Sequence, residues 1–77
     1  MKFTKNVVFL GYQANALSDG TAYFTLNFFS KEDGPISVNV MGTHHIMNTI
    51  PNCEFGDMME VNFILKPKDK LYKLGIA

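Results

Sequence analysis

Between residues 21 and 30 the chain alternates between two sets of side chains: Ala22, Phe24, Leu26 and Phe28 in one, Tyr23, Thr25, Asn27 and Phe29 in the other. Successive residues of an extended strand point to opposite faces. If the first set fills a core, two rings, a hydroxyl and an amide stand together on the opposite surface. Ser37 and Asn39 continue that surface in the next alternating run, residues 36–41, where Ile36, Val38 and Val40 point inward. Unpaired bases stack on exposed rings for roughly 1–3 kcal/mol each, while small polar groups meet base edges and sugars. Phosphate needs cations, and these are all lysines: Lys5 near the start, then Lys66, Lys68, Lys70 and Lys73 near the end. The competing reading gives the same rings to a protein contact, with Phe29 in a dimer interface or under a loop and Tyr23 an ordinary exposed strand residue.

Other chemistries find less support. His44-His45 with Cys53 nearby suggests a metal site, but adjacent loop histidines share one ion poorly and no second pair completes a tetrahedral set. Cys53 is the only cysteine, so neither a CxxC pair nor an internal disulfide exists, and no cation flanks it to activate the thiol. Asp19, Glu32 and Asp33 sit in turn-forming clusters. There is no glycine-rich phosphate loop and no supported nucleophile–base pairing. The expectation is a binding protein without catalytic residues, metal or cofactor.

The 77 residues form one domain, 1–77, with nearly half of them apolar and seven Phe among them. A chain of this size buries only about 60–65% of its unfolded surface, so it folds alone with little margin. Zero net charge argues against indiscriminate binding to polyanions. The charges are unevenly spread: Lys2 and Lys5 open the chain, acids dominate the middle, and four lysines against Asp69 close it. Chain ends lying side by side would combine into a local basic face. The single cysteine fits a reducing cytoplasm, and no apolar run approaches the ~18 residues of a membrane helix. No membrane partner is expected.

Positioning the candidate face requires strands. Periods of two recur throughout, punctuated by turn signals at 18–20, 31–35, 55–57 and around Pro67. A first strand over 3–12 is long enough to serve two sides of a barrel, with Gly11 allowing a bulge. Strands follow over 21–30 and 36–41. Ile46, Met47 and Ile50 are spaced for one or two helical turns ended by Pro51. Met59, Val61, Phe63 and Leu65 then alternate, and Tyr72, Leu74 and Ile76 form a short last strand. This order predicts an all-β fold: a five-stranded antiparallel OB-type barrel with a short helical segment or loop between strands three and four. An SH3-like barrel is the main rival.

Residues 20–27, Gly20-Thr21-Ala22-Tyr23-Phe24-Thr25-Leu26-Asn27, resemble the second-strand segment of the single-stranded DNA-binding proteins of filamentous phages, with a one-residue slip between Tyr23 and Leu26. Residues 34–40 and 55–61 are similar to strands three and four of that family, so the likeness spans about residues 20–77. It implies a dimeric OB-fold protein that coats single-stranded DNA cooperatively in a phage or mobile element, within the bacterial host cell, with Tyr23 as the stacking residue. The chain departs from the family in having no arginine and no aromatic within 66–70. The resulting expectation is a homodimer binding single-stranded DNA or RNA through Tyr23, Thr25, Asn27, Phe29 and Asn39, with Lys5, Lys66, Lys68, Lys70 and Lys73 toward phosphate. The alternative is a small protein-assembly module using the same aromatic face.

Overall fold

In the computed structural model, which describes all 77 residues, five antiparallel strands form one curled sheet. They are β1 (Lys2–Ala16), β2 (Ala22–Ser30), β3 (Gly34–Met41), β4 (Met58–Lys68) and β5 (Leu71–Ile76), arranged in the order β3-β2-β1-β4-β5. β1 is the hinge of this arrangement. Its first half pairs with β4 from Lys2 to Val8, and its second half pairs with β2 from Val8 to Ala16. The changeover falls at a bulge between Phe9 and Gly11, where Gly11 takes φ +111°, a conformation that side-chain-bearing residues avoid. Phe9 exchanges backbone hydrogen bonds with the loop before β4, through Gly56 N–H and Asp57 C=O, which fixes the bend.

The curl brings β3 and β5 beside each other, completing the strand plan of an OB-type half-barrel. No hydrogen-bonded ladder joins these two strands. Val38 and Val40 of β3 and Ile76 of β5 belong to the common core, with Leu74 packed against it, so the seam closes through side chains. Phe28 lies at the centre of that core, 6.0 Å from the Phe9 ring centroid and edge-on to Phe63 at 6.1 Å. Ile50, fully buried, plugs the barrel from the segment between β3 and β4.

That segment consists of two short 3-10 turns, His45–Asn48 and Ile50–Asn52. Pro51 sits within the second turn rather than ending the helical region, because its fixed φ suits a first-turn position where no amide donor is needed. Three other expectations also change. β1 and β2 form a hairpin that projects past the core, so Ala22 is exposed and Phe24 half-buried, its ring edge-on to Tyr12 at 5.9 Å. Pro67 and Lys68 belong to β4, and the last turn is Asp69-Lys70, where Asp69 adopts φ 56°. Ile64, which alternation against Phe63 and Leu65 puts on the outer face, is half-buried beside Gly75. No helix is long and apolar enough to cross a membrane.

Ser30 is the one buried polar residue, and its hydroxyl accepts the amides of Glu32 and Asp33, both at 3.3 Å, to hold the β2–β3 turn. Ser30→Ala leaves those amides without their acceptor and costs about 1–3 kcal/mol in urea denaturation. A loss below about 0.5 kcal/mol would show that the turn is held by other contacts.

Candidate nucleic-acid interface

Alternation in β2 is as the sequence predicts over its second half: Leu26, Phe28 and Ser30 are buried, while Tyr23, Thr25, Asn27 and Phe29 face outward. Cross-strand register ties this row to β3. Thr25 lies opposite Asn39, and Asn27 opposite Ser37. Their side chains bond in the same pairs, Thr25 Oγ1 to Asn39 Oδ1 at 2.8 Å and Ser37 Oγ to Asn27 Oδ1 at 2.8 Å, with Asn15 Nδ2 of β1 donating to Thr25 at 3.0 Å. The polar surface is therefore built and ordered by its own hydrogen bonds.

The lysines reach this surface across the β3–β5 seam. Tyr23, Asn39, Met41 and Lys73 line one cleft with Leu17. Ser37, Asn39, Lys68, Asp69, Tyr72 and Lys73 line the adjoining one. Lys66 joins Asn39 and Lys73 in a third. Lys66 and Lys73 stand directly opposite each other on β4 and β5, an arrangement of like charges that destabilises a sheet unless an anion lies between them. No carboxylate is paired with either of them, because the only ion pairs in the molecule belong to Lys5.

Five expected residues line none of the three clefts: Thr25 and Asn27, in the hydrogen-bonded row beside them, and Lys5, Phe29 and Lys70. Lys5 falls on the core-facing alternation of β1, and its ammonium bridges Glu32 at 2.7 Å and Asp33 at 2.6 Å beside the β2–β3 turn. Hydrogen bonds to Asp33 and Glu32 raise its pKa above the ordinary lysine value. Its charge is already matched. Phe29, 40% exposed, sits at the far end of β2 from Tyr23, opposite both Val8 and Pro35. Val8 in turn opposes Met58, so Pro35, Phe29, Val8 and Met58 form an apolar row crossing four strands. Lys70 is exposed on the β4–β5 turn and lines none of the three clefts.

By sequence Tyr72, at the start of the last strand, is either core or a further platform, and the structure exposes it. Leu74 and Ile76 turn inward as expected, but Tyr72 is 73% exposed and lines the seam. Its cross-strand neighbour is Pro67, beyond the end of the packed interior. That neighbour was the one signal within the sequence: a core-facing position opposite a proline among lysines has nothing apolar to pack on.

His44 and His45 have structural duties. Ile46 N–H donates to His44 Nδ1 at 3.1 Å, so that nitrogen carries no proton and Nε2 donates to the Ile76 carbonyl at 3.0 Å. His45 Nε2 lies 2.8 Å from the Ala77 carbonyl. The pair pins the 3-10 segment to the end of β5 and closes the seam at that end. No group of three or more His, Cys, Asp or Glu is placed to hold a metal ion. Burial, and then the Asp57 charge, push the Cys53 thiol pKa upward, away from the reactive thiolate.

The architecture defines an OB-type half-barrel whose outer face and seam carry aromatic, amide and lysine side chains. No family model, curated protein or solved structure matches the chain.

Proposed function

We propose that the chain binds single-stranded nucleic acid, DNA in the first instance, along the β3–β5 seam. The observation that carries this reading is the joining of Tyr23 and Tyr72 to one continuous run of clefts, with Ser37 and Asn39 between them and Lys66, Lys68 and Lys73 along it without acid partners. Rings that stack bases and cations that follow a backbone are the two components of sequence-tolerant single-strand binding. The protein acts by binding alone, without a cofactor. A phage or mobile-element origin and a cytoplasmic site in the bacterial host, which the family resemblance implies, belong to the same proposal. Ultraviolet crosslinking to an oligonucleotide carrying 5-iodouracil tests it: adducts map to Tyr23 and Tyr72. Adducts confined to Phe29, or none at all, would count against it.

The apolar row Pro35–Phe29–Val8–Met58 supports the second component, a homodimer. Phe29 and Met58 (68% exposed) are large, exposed and in direct cross-strand sequence with two other apolar residues. Met58→Lys combined with Phe29→Ser shifts sedimentation equilibrium from dimer to monomer. A wild type that is monomeric at high micromolar concentration instead gives the row to a different protein partner, the assembly-module reading.

A further inference from the structure

Lys2 lines none of the seam clefts, yet the fold brings it to their edge. Val7 and Phe9 mark the core face of β1, so Lys2, Thr4, Asn6 and Val8 stand on its outer face. Lys2 lies opposite Ile64 of β4, one diagonal step, or about 7–8 Å, from Lys66. Lys66 faces Lys73 across the β4–β5 ladder, and both share a cleft with Asn39. Three cations therefore surround the Ile64–Gly75 pair on the outer sheet. None of them is in an ion pair. The next outer pair beyond Lys2–Ile64 is Thr4–Asn62, joined by a 2.7 Å hydrogen bond. The first acid along that face, Glu60, stands opposite Asn6, about 13 Å further along β1.

Gly75 is a second, independent observation. Its φ lies outside the left-handed region, and a methyl group there would meet nothing closer than Ile64 Cγ2, at an ordinary 3.5 Å. Neither backbone nor packing calls for glycine at this point of β5, where it weakens the strand. What it supplies is bare backbone among three cations, which lets another chain approach closely. Resting on the single-strand reading above, we infer that the phosphate path continues past the seam, over Gly75, to Lys2, which binds a further phosphate. Like charges gathered without an acid cost the sheet stability, and phosphates laid among them remove that repulsion.

Anisotropy of labelled oligo(dT) across a salt series tests this. Lys31→Ala is the control for the loss of one positive charge, since Lys31 stands in the β2–β3 turn beside Glu32 and Asp33. Lys2→Ala flattens the slope of log K against log salt by up to about 0.7, which amounts to as much as about 8-fold weaker binding at ~50 mM salt when that slope is carried down from 1 M. Lys31→Ala moves neither quantity. Gly75→Thr places a β-branched side chain on the bare backbone: the melting temperature holds or rises, because threonine suits a strand better than glycine, while oligo(dT) binding weakens. If the wild type binds but Lys2→Ala matches Lys31→Ala in slope, or Gly75→Thr binds as tightly as the wild type, the path beyond the seam is overturned and single-strand binding stands. Lys2-dependent binding to phosphatidylserine vesicles, with the oligo(dT) slope unmoved by Lys2→Ala, also overturns it and gives the cations to a membrane surface. No saturable binding of oligo(dT) by the wild type overturns both readings.

Discussion

Phe28→Ala removes about 3–5 kcal/mol of stability, whereas Tyr23→Ala changes it by less than about 1 kcal/mol. Phe28 is fully buried and in ring contact with Phe9 and Phe63, so truncation opens a cavity where β1, β2 and β4 meet. A domain of this length has only about 4–12 kcal/mol of stability in total, so the loss is at least about a quarter of it. Tyr23 stands on the other face, and its loss empties only the edge of an open cleft. Urea denaturation followed by circular dichroism measures both. Equal losses would mean that β2 is in the wrong register, and every residue assigned to the outer face would move inward with it.

Most of the barrel was legible because burial imposes a period of two. Leu26 and Phe28, Val38 and Val40, and Val61 and Phe63 are inward pairs that the sequence marks unambiguously, and all six are buried. The bulge at Gly11 was legible for a different reason: a strand that must serve two sheet halves needs a residue free of Cβ strain. Local patterns failed where the barrel ends. Phe24 and Tyr72 both continue an inward alternation, yet one is half-buried and the other exposed, since the strands outrun the core. Lys5 escaped for a complementary reason. Its charge signals solvent, but its position signals the interior, and the structure satisfies both by bridging Glu32 and Asp33 at the barrel mouth. The convergence of Lys66, Lys68 and Lys73 on Asn39 depends on the β3–β5 approach, a long-range consequence of the curl that no local spacing encodes.

Stacking and charge leave separable signatures in binding. Tyr23→Ala weakens oligo(dT) binding by about 1–3 kcal/mol with the salt dependence nearly unchanged, because a ring displaces no counterions. Replacing Lys66, Lys68 and Lys73 together by alanine flattens the slope of log K against log salt by up to about 0.7 for each phosphate that a lysine no longer neutralises, roughly two in all. Lys5→Ala leaves the slope where it was, since Glu32 and Asp33 already neutralise that ammonium. A Lys5 effect as large as the triple variant's would place the phosphate path at the β2–β3 turn instead of the seam.

Wild-type affinity for an unstructured single strand tests the central claim most directly. Fluorescence anisotropy of labelled oligo(dT) of about 20 nucleotides, titrated at ~50 mM salt and then across a salt series, shows saturable binding with a shallow salt slope. A duplex of the same length binds far more weakly because its bases offer no free faces. Absence of saturable binding to the single strand at ~50 mM salt, where lysine–phosphate attraction is strongest, would contradict the account.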